Sequence, residues 1–91
     1  MKPTFLHIIQ VYQLEGMVAL GKMLNPGTNT ITKNMDHARY VVDALEILSE
    51  KTKGNLSSEE ASFLENTLTT MRLNYVQETG SPSIAPSGDL A

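Results

Sequence analysis

The sequence predicts an all-α fold of three helices: helices 2 and 3 form an antiparallel hairpin, and helix 1 packs across it. Apolar residues recur every three or four positions over three long segments, which is the spacing of one face of a helix. Capping residues mark a tight turn between the second and third segments. The chain ends in a proline-, serine- and glycine-rich stretch. We therefore expect a single helical domain over residues 1–79 and a disordered tail over residues 80–91.

The first helix is expected to run from about Pro3 to Leu24. Proline suits a first helical turn because its missing N–H would have no partner there. Apolar residues lie on more than one side of this segment, and such a helix is usually covered on more than one side. Three small residues, Gly16, Ala19 and Gly21, would let another backbone approach closely. That approach could be packing inside one subunit or an interface between subunits, and the sequence leaves both open.

The second helix follows a connector, residues 25–34, that begins with the turn-forming run Asn-Pro-Gly. Asn34 is a suitable N-cap, and Asp36 lies in the first turn, where the helix dipole favours an anion. Two apolar stripes again imply two covered faces. The first stripe is Ala38, Val41, Leu45, Leu48 and Thr52, and the second is Tyr40, Ala44 and Ile47.

The segment "KTKGNLSSEE", residues 51–60, is interpreted as the corner between helices 2 and 3. Lys51 and Lys53 are expected in the last turn of helix 2, where cations suit the negative end of the dipole. Gly54 stands where a left-handed C-terminal residue is needed. Ser57 and Glu60 have the spacing of a capping box. A corner this short makes the two helices antiparallel neighbours.

The third helix is expected from Ser58 to about Thr79, with Gly80 ending it. Its apolar residues keep the three-four spacing of a bundle seam. These residues are Ala61, Leu64, Leu68, Met71 and Tyr75.

Composition narrows the classes of function. The net charge of −3 and the pI of about 5.2 disfavour nucleic acid as a partner, since such proteins usually carry a basic excess. The chain has no cysteine, which excludes disulfides and thiolate metal sites and fits a reducing, cytoplasmic location. Polar residues interrupt the apolar N-terminal segment every few positions, so neither a signal peptide nor a membrane span is expected.

Residues that could carry chemistry are few. His7 and His37 are the only histidines, and no pair of ligands has the spacing of a metal site. Ser57 and Ser58 are assigned to helix capping. We therefore expect no catalytic residue, no metal, no cofactor and no enzyme activity.

Three motifs resemble a known bacterial family, the domain of unknown function 1844. The chain reads Leu20-Gly21 and Asn25-Pro26, then "ARYVVDALEIL", "KTKGNL" and "MRLNYV", and the resemblance covers about residues 14–77. It departs from the family pattern at Met71, where leucine is expected, and in the junction "GKMLNP". The resemblance implies a small, soluble, helical bacterial protein and implies no reaction.

The family pattern also directs attention to Asp43, Arg72 and Tyr75. A corner centred near Asn55 would bring Arg72 opposite Arg39 and within about one turn of Asp43. Asp43 could then be a partly buried ion-pair partner that sets the register of the helices. Alternatively, it is an exposed partner of Arg39, four residues away.

The leading hypothesis is a non-enzymatic interaction or scaffold module that self-associates, at least as a dimer, with an unidentified protein as a further possible partner. The excess apolar face of helix 1 would form the interface, because a single small chain covers only part of it. A nucleic-acid- or ribosome-associated accessory protein is the alternative, and an enzyme comes third. Candidate interaction residues are Leu14, Met17, Val18, Gly21, Asp43, Lys51, Lys53, Arg72 and Tyr75.

Overall fold

The computed structural model describes residues 3–80, which fold into three helices without a strand. They are α1 (Phe5–Ala19), α2 (Met35–Lys51) and α3 (Ser58–Thr79), and each contacts the other two. The all-α prediction is confirmed. Within the same range, no helix combines the length and the apolar character needed to cross a bilayer. The predicted disordered tail covers residues 80–91, and apart from Gly80 these residues lie outside the described range.

The three helices run up, down and up. Two side-chain hydrogen bonds join α2 to α3. Ser49 donates to Glu65, 16 residues away in the chain, and Arg72 donates to Glu46, 26 residues away, so the sequence separation of paired residues increases with distance from the corner. This widening identifies an antiparallel pair, as predicted. In α1 and α3, by contrast, Leu6 lies beside Phe63 and Gly16 lies beside Met71, at a nearly constant offset. These two helices are therefore parallel.

The core lies where the three helices meet. The first stripe predicted for α2 is buried there at Ala38, Val41 and Leu45, and the stripe predicted for α3 is buried in its central part. The second stripe predicted for α2 is not covered as expected, because Tyr40 and Ile47 are exposed to solvent. Gly16 of α1 is also buried, and a Cβ at this position would lie 2.8 Å from Sδ of Met71 and 3.0 Å from Cγ1 of Val41. The buried apolar residues are Ile9, Ala19, Leu20, Ala38, Val41, Val42, Leu45, Leu64, Leu68 and Met71.

Helix α1 is shorter than predicted, because Gly21 ends it. This residue has φ +79°, a left-handed conformation that glycine adopts readily. The N–H of Gly21 donates to the carbonyl of Val18 at 3.0 Å, and the N–H of Lys22 donates to that of Met17 at 2.9 Å. These two bonds form a Schellman motif. The expected extension to Leu24 is therefore wrong, and the helix begins at Phe5, after the N-cap Thr4.

The corner between α2 and α3 is formed as predicted. Gly54 has φ +84°. The side chain of Ser57 accepts from the Glu60 N–H at 3.1 Å, and the Glu60 carboxylate accepts from the Ser57 N–H at 2.9 Å. Lys53 differs from the prediction, because α2 ends at Lys51 and leaves Lys53 in the turn.

The connector between α1 and α2 forms a closed loop. The N–H of Asn34 donates to the carbonyl of Ala19 at 2.8 Å, which joins the end of α1 to the start of α2. Within the loop, the N–H of Asn25 donates to the carbonyl of Thr30 at 2.8 Å. The carboxylate of Glu78 binds both Lys22, at 2.8 Å, and Lys33. The loop is thereby fixed to the C-terminal end of α3.

Candidate interaction surface

Helix α1 differs from the other two helices in charge. It contains one charged residue, Glu15, whereas α2 contains six and α3 contains five. Three of its solvent-exposed residues are apolar, beside the polar His7 and Gln10: Ile8 is 43% exposed, Val11 53% and Leu14 45%. Depletion of charge combined with exposed apolar side chains is typical of the centre of a protein interface.

A groove adjoins these apolar residues, between α1, the connector and the start of α2. Its cavity volume is about 450 Å³, within the range of binding sites. Val11, Leu14 and Val18 form its apolar wall, and Asn34 and His37 lie on its polar side.

The polar side of the groove contains a contact between α1 and α2. Nε2 of His37 lies 2.5 Å from Oε1 of Glu15, and both side chains are partly exposed. The ring of Tyr40 stacks on the imidazole with a centroid distance of 5.7 Å. The pair holds the one charged group of α1 against α2. No cluster of three metal-ligating side chains occurs within residues 3–80.

The four interface candidates on helix 1 do not form one surface. Leu14 and Val18 line the groove. Met17 is half-buried against the core, and Gly21 belongs to the helix cap. The close-approach residues Gly16 and Ala19 are buried inside the subunit. At these two positions, therefore, the small residues serve packing within the monomer.

Arg39, Asp43 and Tyr75 come together on the α2–α3 side. Nε of Arg39 donates to Oδ1 of Asp43 at 3.3 Å, so Asp43 is the i,i+4 partner of Arg39 that the sequence left as one alternative. The guanidinium of Arg39 also lies 5.9 Å from the centre of the Tyr75 ring. The predicted register is wrong by about one turn, because Tyr75 and not Arg72 lies opposite Arg39.

Arg72 has a different partner from the one expected. Its Nη2 donates to Oε2 of Glu46 at 2.5 Å, and Glu46 is 8% exposed. Sequence reasoning missed Glu46, which reads as one of several surface acids. The only available signal was its position beside the α2 core stripe, one residue after Leu45.

The basic residues are mostly neutralised. Lys22 and Lys33 share Glu78, and their hydrogen bonds, that of Lys22 first, lower the pKa of this carboxyl to about 2. Lys51 and Lys53 are exposed and form no ion pair with another residue of the described range. Arg72 is bound to Glu46, so it does not extend the positive charge of these two lysines into a larger basic surface.

These features define a small three-helix protein with exposed apolar residues on a nearly uncharged α1. The family model of the domain of unknown function 1844 matches residues 2–77, and the chain belongs to this family. No curated protein and no solved structure matches the chain significantly.

Proposed function

We propose that this protein is a non-enzymatic interaction module that self-associates, at least as a dimer, through the exposed side of α1. One observation carries the proposal: α1 exposes the apolar side chains of Ile8, Val11 and Leu14 to solvent, and Glu15 is its only charged residue. Val11, at 53% exposure, is its most exposed apolar residue. Water contact with such a surface is unfavourable, and a soluble protein usually covers a large apolar patch with a partner.

A second copy of the chain is a suitable partner for this surface. Because the chain carries a net charge of −3, two copies repel each other at long range, and the favoured interface is one that brings few acidic residues together. Glu15 is the only charged residue of α1, and His37 holds it. Contact through α1 therefore buries few like charges, and an isologous arrangement covers the same patch on both subunits.

The alternative, a nucleic-acid- or ribosome-associated role, has less support. It depends on Lys51 and Lys53, because the other described cations, Lys22, Lys33, Arg39 and Arg72, are bound to carboxylates. Phosphate binding needs several free cations on one face. An enzyme would need more converging groups than the single pair of His37 with Glu15.

Light scattering coupled to gel filtration tests self-association at tens of micromolar protein. We expect a dimer for the wild type and a folded monomer for Val11→Glu, which places a charge on the exposed side of α1. Leu73→Glu is the matched control, because Leu73 is 56% exposed on α3 and should leave the dimer intact. A folded wild-type monomer would contradict the proposal, as would a Val11→Glu variant that still dimerises.

A further inference from the structure

A second exposed apolar stripe lies on α2. Tyr40 and Ile47 are 59% and 56% exposed, and they stand seven residues apart, two turns along one face of the helix. Ala44 lies between them and is half-buried. A small residue flanked by two large apolar ones lets a neighbouring helix approach closely at the centre of the stripe.

This stripe adjoins the exposed side of α1. The two helices are antiparallel, and the contact of Glu15 with His37 fixes their relative position. In α1, Ile8 is seven residues before Glu15. In α2, Ala44 is seven residues after His37. Ile8 therefore lies level with the centre of the α2 stripe, so exposed apolar residues of the two helices are neighbours.

The ends of the stripe carry opposite charges. Asp36 lies one turn before Tyr40, and Lys51 lies one turn after Ile47; both are exposed. The order along the stripe is therefore acid, aromatic, small, aliphatic and base. The midpoint between Asp36 and Lys51 coincides with the midpoint between Tyr40 and Ile47, just before Ala44. A second copy of α2, placed antiparallel about that midpoint, would bring Asp36 of each copy opposite Lys51 of the other, with the exposed Glu50 beside Lys51.

We propose that two copies pack α2 against α2 about a twofold axis beside Ala44. Tyr40 of each copy contacts Ile47 of the other, and Asp36 of each copy faces Lys51 of the other. This arrangement rests on the proposed self-association and extends its interface from the exposed side of α1, at Ile8 and Val11, onto α2. Asp43 lies near the axis, but Arg39 holds its carboxylate.

The size of the face supports the use of both helices. A 15-residue α1 is ~22 Å long and ~10 Å wide, an outline of about 220 Å². A specific interface buries about 800 Å² of accessible surface per partner, several times the outline of α1 alone. Adding α2, with 17 residues, roughly doubles the outline, and corrugated side chains give an accessible area larger than the outline.

A charge-reversal series tests the arrangement in the full chain, with the dimer dissociation constant measured by sedimentation. Asp36→Lys and Lys51→Asp alone should each weaken the dimer about 3- to 10-fold, because each places like charges opposite one another. The double variant Asp36→Lys/Lys51→Asp should recover most of the wild-type affinity. Failure of the double variant to recover affinity would overturn the proposed pairing.

Ile47→Glu provides the second test, with Leu73→Glu as the control at equal exposure. We expect at least a 10-fold weaker dimer for Ile47→Glu and no change for Leu73→Glu, with circular dichroism confirming that both are folded. A dimer that is lost in Val11→Glu but unchanged in Ile47→Glu would overturn the role of α2 and leave the proposed function intact. A wild-type monomer would instead overturn the proposed function itself.

Discussion

Glu46 and Arg72 form a half-enclosed ion pair that joins α2 to α3, with 2.5 Å between Oε2 and Nη2. The side chain of Glu46 is 11% exposed and that of Arg72 is 27% exposed. Nε of Arg72 is buried and has no hydrogen-bond partner among the described residues. The guanidinium therefore depends mainly on this one carboxylate for the stabilisation of its charge.

Replacing Glu46 by glutamine should destabilise the fold by about 1–3 kcal/mol, because it removes a charge-assisted hydrogen bond from a poorly hydrated cation. Glu50→Gln is the control, since Glu50 is exposed one turn further along α2. Urea unfolding measures both. The double variant Glu46→Leu/Arg72→Leu should regain most of the loss, because a buried pair and a well-packed apolar pair are often of similar stability. Equal stability of Glu46→Gln and Glu50→Gln would contradict this role.

Replacing Gly16 by valine should destabilise the protein by about 1–3 kcal/mol through overpacking of the core. The added Cβ would come within 3.0 Å of Val41, whose branched side chain adjusts poorly, and the additional methyl groups need still more space. Gln10→Val is the control, since position 10 is exposed on the same helix. Thermal unfolding of the two variants separates crowding from the helix propensity of valine. A Gly16→Val variant as stable as Gln10→Val would exclude close packing at this position.

Ser57→Ala should destabilise the corner by about 0.5–2 kcal/mol, the usual effect of losing an N-cap. Ser58→Ala, at the first residue of α3, should change stability by less than about 0.5 kcal/mol, as expected for an exposed position away from the cap. Chemical unfolding of both variants tests the difference. Similar stability for the two variants would show that the capping box contributes little.

Glu78 should make stability depend on pH in the acid range. Its pKa is about 2 in the folded protein, below the ordinary value of 4.5, because Lys22 and Lys33 favour the charged form. The stabilisation is therefore complete above about pH 4.5 and is lost as the pH falls toward 2. The wild type should melt at a higher temperature than Glu78→Gln at pH 6, and the two should converge near pH 2. A constant difference over this range would contradict the assignment, and high salt should reduce the difference at pH 6.

Local sequence signals predicted most of the fold. Asn34, Gly54, Ser57 and Gly80 mark helix ends with short-range hydrogen bonds or left-handed backbone, so α2 and α3 could be bounded from the sequence. Gly21 carried the same kind of signal for α1, but it was interpreted as a small packing residue. The apolar pattern continued past it to Leu24 and concealed the end of the helix.

Contacts between distant segments could not be predicted in the same way. Lys22 and Glu78 are 56 residues apart, and no local pattern links them. The expected register of α2 against α3 assumed a corner centred at Asn55. The observed contacts of Arg39 with Tyr75 and of Ser49 with Glu65 are centred at Ser57 instead. A shift of two residues in the centre changes the residue of α3 that faces a given residue of α2 by about one helical turn. The exposure of Tyr40 and Ile47 was likewise missed, because periodicity identifies an apolar face without showing what covers it.

The hydrogen bond between Asn34 and Ala19 has a consequence for how the chain tolerates changes in length. The two helix ends meet directly, so the intervening residues need not span any distance. Extra residues inserted after the exposed Gly27 would enlarge a loop whose base is already closed. Loop-closure entropy changes slowly with length, by about 0.6 kcal/mol for each doubling. This position could therefore accept an inserted peptide tag or a small folded domain while the helices keep their contacts.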